Sequence, residues 1–474
     1  MSETSSISKA TPLARYEHPE GYRLRRGRNW FFLGLTYASY YLCRYNLSPV
    51  APELMRDLGF SRTQYGWINT GRDGAYAIGQ MINGLFTDRI GGKLAMTIGA
   101  IGTIVLNLTF GLVAWSNFVW LLPILIFVRS ADGYMQAFGA PGMIKINTAW
   151  FRRQERGAFA GIFGAMINIG AVVAGLFGRY IVAGMSIPLI FFTLTVPRMD
   201  WRYIFIIPPI IVAVIVLLMN LFVKNNPEEA GYEIVHDDEP KNDDPNEKVR
   251  LRDVFRKIAS NKVVWIVAAA YFCTGFVRRA VESWWAVYLH EVWDAGKETG
   301  LYTAFVWGLP VTATIGSMMS GYISDLFFRG RRAPVAALLY MAQVGFTLAA
   351  LMLCNSELAT GALAVTLIIA ISMMCNSTHS ILGTAAAMDL GGRKMAGCSS
   401  GIIDSFQYYG AMLSGAGVGK LFDMFAHGSA ATTQDAAGMD PRIWFATMLP
   451  FGFFGASLMG YLWWRHRGVG SAGT

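Results

Sequence analysis

Two arginines lie deep inside long apolar stretches of the sequence, where a charged side chain needs a partner or a function. Arg44 lies about fourteen residues into a stretch that begins at Trp30, and Arg278 lies about as deep in one that begins at Val263. A charge at the centre of a bilayer costs ~3 to ~15 kcal/mol. Each guanidinium offers planar bidentate donors, and two of them would balance the nearly two negative charges of a phosphate monoester. These residues therefore predict a binding site for a phosphorylated anion.

Local pairing is the alternative interpretation for each arginine. Arg44 has no acidic residue within one helical turn, so snorkelling or pairing with a distant acid would have to compensate its charge. Arg278 has Glu282 four residues later, and an i, i+4 ion pair could neutralise it. Arg279 is rotated by ~100° from Arg278 on a helix. We therefore expect Arg279 to be a structural neighbour of Arg278 or a partner of Glu282.

Four other polar residues in apolar stretches could exchange protons and so couple proton movement to the binding of that anion. Arg129 and Asp132 have i, i+3 spacing and could equally form a local structural ion pair. Asp404 would be a buried carboxyl group. His379 titrates near neutral pH when unperturbed, although a lone histidine in such a helix is more often a hydrogen-bonded packing residue.

The elements that must position these residues are membrane-spanning helices. The chain has 474 residues, of which 54% are hydrophobic and 15% are charged, whereas a soluble chain carries about 25% charged residues. A bilayer core requires ~20 apolar residues per helix. Twelve such runs are present, at 30–51, 65–87, 94–115, 119–148, 156–183, 203–223, 263–289, 301–326, 334–353, 360–388, 396–426 and 444–464. The sequence therefore predicts an all-α polytopic membrane protein with 12 transmembrane helices.

The distribution of basic residues predicts the orientation and the domains. Lys and Arg concentrate in both tails and in the even-numbered loops, which places both termini in the cytoplasm. The net charge of +9 then lies along a lipid surface, and we expect the bilayer rather than nucleic acid as partner. The predicted parts are an N-terminal tail (1–29), a six-helix half (30–223), a polar cytoplasmic loop (224–262), a second six-helix half (263–465) and a C-terminal tail (466–474). No leader peptide is expected.

Enzymatic chemistry and cofactors are not indicated. The five cysteines lie in apolar stretches without the paired spacing of a metal site. A P-loop, a nucleophile elbow and a cluster of metal ligands are all missing from the sequence. We therefore expect no metal, no cofactor and no catalytic activity.

A loop motif repeats between the two halves. Residues 84–93 (GLFTDRIGGK) fit a G-x-x-x-D-R-x-G-x-K pattern, and residues 321–332 (GYISDLFFRGRR) repeat its G-x-x-x-D start followed by a glycine among basic residues. This pattern resembles the short loops of the major facilitator superfamily, which implies two pseudo-symmetric six-helix halves. The resemblance implies a structural and gating role for four residues: Asp88, Arg89, Asp325 and Arg329.

Further segments resemble the organophosphate:phosphate antiporters within that superfamily. They are YYLCRYN at 40–46, VRR at 277–279, YLHEV at 288–292, FRGRR at 328–332 and MDLGGRKMAG at 388–397. The resemblance implies exchange of an organic phosphate, such as glycerol-3-phosphate or a sugar phosphate, for inorganic phosphate. It also implies that Arg44 and Arg278 bind the phosphoryl group. The predicted substrate-binding residues are Arg44, Arg278, Tyr41, Tyr76, Gln80 and Tyr408, and we expect a monomer in the plasma (bacterial inner) membrane.

Departures from that pattern keep other functions open. Gln80 and Ile167 stand where glycerol-3-phosphate transporters have a lysine and a histidine, so the rest of the ligand should be recognised differently. Residues 44–48 (RYNLS) also resemble a motif of anion:cation symporters, but Cys43 replaces the acid that usually precedes it. A proton-coupled symporter of an organic carboxylate or sugar acid is therefore the alternative. A membrane sensor with a transporter fold is a third hypothesis.

Overall fold

The computed structural model describes residues 19–151, 153–188, 193–232, 260–328, 331–426 and 438–465. Helices of the first half are α1 (Tyr22–Arg44), α2 (Ala51–Leu58), α3 (Arg62–Ile90), α4 (Gly92–Val113), α5 (Leu121–Gln136), α6 (Gly139–Trp150), α7 (Arg153–Ala183) and α8 (Ile207–Phe222). Helices of the second half are α9 (Lys262–Trp293), α10 (Gly300–Phe328), α11 (Arg332–Leu353), α12 (Gly361–Ser380), α13 (Ala387–Met424) and α14 (Pro441–Arg465). Short 3₁₀ segments cover Ser48–Val50, Trp201–Phe205 and Glu228–Ala230, and a π-helical turn covers Ile381–Ala386.

A helix lies in each of the twelve predicted apolar runs, and the all-α fold class is confirmed. Six helical stretches of the described residues combine a membrane-spanning length with high hydropathy: Gly92–Val113, Trp201–Phe222, Lys262–Trp293, Arg332–Leu353, Gly361–Gly383 and Pro441–Arg465. Helix α3 is not among them, and it carries the buried charges of Arg72 and Asp73. The fourth predicted run is divided between α5 and α6.

A short β-ribbon is the feature that the sequence analysis did not predict. Strands β1 (Met185–Pro188) and β2 (Thr193–Val196) pair antiparallel between α7 and the 3₁₀ segment at Trp201, with Met185 opposite Val196. Isoleucine, threonine and valine in these strands favour extended backbone. The ribbon lies in a connection between helices and leaves the helical fold class unchanged.

Local capping fixes where the helices that carry the candidate site begin and end. A capping box starts α3, since the Ser61 side chain accepts from the Gln64 backbone N–H while the Gln64 side chain accepts from the Ser61 N–H. At the end of α1, Arg129 donates to the carbonyl oxygens of Cys43 (3.1 Å) and Arg44 (3.0 Å). These carbonyls lack an intrahelical partner at a helix end, so Arg129 caps α1 directly beside Arg44.

The two halves are joined most closely at one end of the bundle, here called the Glu53 end, where α1 ends and α3 begins. Arg62 of the first half forms an ion pair with Glu291 of the second at 2.7 Å. Glu53 likewise forms an ion pair with Lys297. A Cβ atom at Gly66 would meet the backbone of Gly415, so α3 and α13 can touch only because glycine occupies this crossing.

At the opposite end, here called the Asp88 end, two ion pairs among the described residues each join groups of the same half. Lys145 contacts the Asp88 carboxylate at 3.6 Å, and Arg332 contacts the Asp325 carboxylate at 2.8 Å. The contacts across the two halves therefore hold the Glu53 end closed.

Candidate functional site

A cavity of about 250 Å³ lies between the two halves. Its lining comes from α1, the segment that follows it and α7 of the first half, and from α9, α10 and α12 of the second. Arg278, Glu282 and His379 line one part of it, and Tyr41 and Tyr45 line another. The volume is near the lower end of the ~300–1,000 Å³ of small-molecule sites, which suits a small ligand.

Arg44 is held by neutral groups beside this cavity. It is 5% exposed. Its Nε donates to Gln136 Oε1 at 2.8 Å, and its terminal nitrogens donate to the hydroxyls of Tyr76 (3.1 Å) and Tyr41 (3.4 Å). The rings of both tyrosines lie 4.7 Å from the guanidinium carbon. Within the described residues no carboxylate lies within 4 Å of Arg44, so its positive charge has no direct ionic partner there.

The remaining predicted binding residues extend this cluster towards the second half. Gln80 donates to the Tyr76 hydroxyl at 3.1 Å. The Tyr408 ring packs on the Tyr76 ring across the two halves, with 4.3 Å between centroids. Tyr41, which hydrogen-bonds to Arg44, lines the cavity together with Arg278. The structure thus brings the six predicted binding residues together around one region.

Arg278 differs from Arg44 because it has an acidic partner. Its Nε contacts Glu282 Oε1 at 2.9 Å, which is the i, i+4 ion pair that the sequence analysis considered as an alternative. Arg279 contacts the other oxygen of the same carboxylate at 3.0 Å, in agreement with the expected Arg279–Glu282 pairing. An anion in the cavity must therefore share Arg278 with Glu282.

The charged network continues across the two halves. Arg279 of α9 contacts Asp73 of α3 at 2.8 Å, and Asp73 also contacts Arg72 at 2.9 Å. Asp73 is 0% exposed and Arg72 is 2% exposed. The sequence analysis missed this link. The sequence did contain an indication of it. Arg278 and Arg279 have only one acidic residue nearby on their helix, so one of the two guanidinium groups needs a carboxylate from another helix.

Arg129 and Asp132, the candidates for proton coupling on α5, help to position the residues around Arg44. Arg129 contacts Asp132 at 3.1 Å, so the expected local ion pair is present. Gln136 donates to both oxygens of Asp132 at 3.0 Å while its own oxygen accepts from Arg44. Asp132 therefore orients the amide that holds Arg44. Coupling by Arg129 and Asp132 stays a prediction.

His379 and Asp404 belong to a second polar chain. Arg278 donates to His379 Nε2 at 3.4 Å. The ring proton then lies on Nδ1, which hydrogen-bonds to the Tyr271 hydroxyl. Asp404 lies close enough to Tyr271 for the two groups to interact. These residues lead from the half-buried Asp404 carboxyl group to an arginine of the cavity, and their coupling role also stays a prediction.

The predicted gating residues lie at the Asp88 end. Asp88 and Arg89 are exposed, and the Asp88 backbone carbonyl accepts from Lys145 Nζ at 2.7 Å. Asp88 therefore has Lys145 of α6 as a partner. Asp325 pairs with Arg332. Arg329 lies outside the described residues.

Comparisons with known proteins match this architecture. The family model described as Major Facilitator Superfamily matches residues 33–415. The chain is 28% identical to the glycerol-3-phosphate transporter of Bacillus subtilis (strain 168), covering 85% of this chain and 87% of that protein. It is 26% identical to the probable hexose phosphate transport protein of Chlamydia trachomatis, covering 84% and 86%. It is also 24% identical to the membrane sensor protein UhpC of Escherichia coli (strain K12), covering 92% and 94%. The resemblance to organophosphate transporters is confirmed.

A solved structure shows the same fold. It is the inward-facing, unoccupied form of a bacterial homologue of the human lysosomal transporter Spinster, with a TM-score of 0.70 and 17% identity. The alignment covers 94% of this chain and 95% of that one. At this identity the likeness concerns the fold alone.

Proposed function

Since the chain belongs to the Major Facilitator Superfamily, a family of multi-pass membrane transporters, we propose that it carries a phosphate ester across the membrane by alternating access. The observation that carries the proposal is Arg44, a buried guanidinium without a carboxylate within 4 Å among the described residues, next to a cavity that Arg278 lines. A buried cation in a region of low dielectric favours an anionic ligand. The named functions of its relatives make a phosphate ester the anion of choice.

We propose that inorganic phosphate is the exchanged ion. Both ligands present the same tetrahedral oxyanion to Arg44 and Arg278, so one site serves both directions. Alternating access would rock residues 30–223 against residues 263–465 about this site. In this proposal both termini face the cytoplasm, the membrane is the plasma (bacterial inner) membrane, the monomer is the working unit, and the chain catalyses no chemical conversion.

Counterflow in proteoliposomes tests this function. Vesicles containing purified protein and unlabelled phosphate should accumulate radiolabelled phosphate, and external glycerol-3-phosphate or glucose 6-phosphate should compete. Arg44→Lys should remove most of the accumulation, whereas the same change at exposed Arg56 should not. Ester binding without any flux would contradict transport and favour a sensor, the function named for UhpC.

The polar chain from Arg278 to Asp404 favours proton-coupled symport as a second candidate. A carboxyl group linked through Tyr271 and His379 to the cavity could exchange a proton while a substrate occupies Arg278. In that case an inward proton gradient should drive net uptake into vesicles that contain no exchangeable anion. Asp404→Asn should abolish this uptake. Uptake that depends on internal phosphate and not on the gradient would exclude the symport mechanism.

A further inference from the structure

A stripe of polar side chains runs along the cavity from Arg278. Ser372, Asn376 and His379 occupy positions i, i+4 and i+7 of α12, so they lie on one face of the helix, and all three line the cavity. The stripe covers about 10 Å of the helix axis at 1.5 Å per residue. Its His379 end receives the hydrogen bond from Arg278. A ligand whose phosphoryl group contacts Arg278 would extend along this stripe.

Two further polar side chains come from helices that also line the cavity. Asn168 of α7 donates to Thr314 Oγ1 at 2.5 Å, and Ser317 of α10 donates to the backbone carbonyl of Asn376 at 3.3 Å. Asn376 itself donates to the Ser372 carbonyl at 2.9 Å. The amide nitrogens of both asparagines thus already donate hydrogen bonds within the protein. In the described part of the chain their amide oxygens accept no hydrogen bond, so they can accept from a ligand hydroxyl.

The charges of the residues that line the cavity favour some classes of ligand over others. Arg278 is the one cation among the lining residues that the structure describes, and Glu282 is the one carboxylate. Asn168, Ser317 and Asn376 are neutral. Burial of an ionised group without a partner costs several kcal/mol, so this part of the cavity disfavours a second anionic group on the ligand. Neutral hydroxyls, by contrast, find both donors and acceptors here.

We propose that Asn168, Ser317, Ser372 and Asn376 form a subsite for the organic part of the transported ester. The subsite selects a neutral, hydroxylated group, as in a polyol phosphate or sugar phosphate, over an alkyl or carboxylate-bearing group. The subsite rests on the proposed phosphate-ester transport. Beyond that function, it names the residues that determine which organic group the protein accepts. Because it is built on α7, α10 and α12, it is separate from the cluster that holds Arg44.

Competition against phosphate counterflow tests the subsite with four probes. They are glucose 6-phosphate, ethyl phosphate, 3-phosphoglycerate and inorganic phosphate. Asn376→Leu keeps the branched arrangement of heavy atoms in the side chain and removes the amide. We expect the ratio of the inhibition constants of glucose 6-phosphate and ethyl phosphate to rise about tenfold, because a ligand hydroxyl loses its partner. Thr366→Val, on the exposed face of the same helix, is the matched control and should keep the wild-type ratio.

Milder variants keep the test decisive if the leucine variant does not fold. Ser317→Ala should raise the same ratio several-fold, and Asn376→Ser, which retains a hydroxyl, should raise it less than Asn376→Leu. Equal weakening of both esters, or an unchanged ratio in every variant, would overturn the subsite while leaving transport intact. Preference of the wild-type protein for 3-phosphoglycerate over glucose 6-phosphate would also overturn it. A wild-type protein that exchanges no phosphate at all would overturn the proposed function and the subsite together.

Discussion

Asp73→Asn should loosen the closed Glu53 end of the bundle. Asp73 lies between Arg72 and Arg279, and its contact with Arg279 at 2.8 Å joins the first half to the second. Full loss of one partner of a buried ion pair costs ~3–5 kcal/mol. Asparagine keeps one acceptor oxygen, and water enters when the halves separate. We therefore expect a loss of about 2 kcal/mol from the closed arrangement, which is about 30-fold in the closed-to-open ratio.

Distance measurements between spin labels would report this shift. Arg56 of the first half and Glu298 of the second are exposed residues at the Glu53 end, and cysteines introduced there can carry labels after the native cysteines are replaced. The Asn variant should show a larger population of long distances than the wild-type protein. Asp294→Asn makes the same chemical change at an exposed position whose left-handed backbone conformation asparagine tolerates, so it is the control. A folded Asp73→Asn protein with wild-type distances would refute the energetic role of this link.

Three further outcomes follow from the contacts of the site. The Arg44→Lys and Arg278→Lys variants should fold but lose most transport, because lysine lacks the two parallel N–H donors of a guanidinium group. Near-normal phosphate uptake by both variants would reject the assignment of these arginines to anion binding. Asp88→Asn should lower the transport rate more than substrate affinity in detergent, because Asp88 contacts Lys145 away from the cavity, and a pure affinity loss would contradict this. Arg129→Gln should lower the thermal unfolding temperature, since leaving the buried Asp132 without its charge partner costs ~3 kcal/mol or more. An unchanged temperature would mean that the cap of Arg129 on α1 is dispensable.

Local rules of sequence were enough to single out Arg44 and Arg278 and to anticipate two ion pairs. The positions of Arg44 and Arg278 followed from apolar run lengths, and the Arg278–Glu282 and Arg129–Asp132 pairs followed from helical spacing. Those rules concern residues within one or two turns of a single helix. They do not require knowledge of which helices touch.

Contacts between distant helices were beyond these rules. The Asp73–Arg279 link joins residues far apart in sequence, and the cap of Arg129 on α1 depends on how α5 crosses α1. Asn168 and Asn376 gave no sequence signal beyond their occurrence in apolar helices. Their relevance comes from the cavity they share, which depends on the packing of three helices. Faces of a helix that point to lipid, to a neighbour or to a cavity cannot be separated by hydrophobic period alone.

The ion pairs of the site also decide which charge drives exchange. Two unpaired arginines facing an empty cavity would repel each other, but Glu282, which Arg278 shares with Arg279, offsets part of the charge of Arg278 and weakens its repulsion with Arg44. Arg44 remains without a carboxylate within 4 Å among the described residues. When the halves close over an empty site, the Arg44 cluster loses water and gains no anion, which is the costly step. A bound phosphate or phosphate ester supplies that anion and also draws on Arg278. The loaded protein should therefore change conformation more readily than the empty one, and this difference is what makes exchange, rather than net uptake, the expected mode of transport.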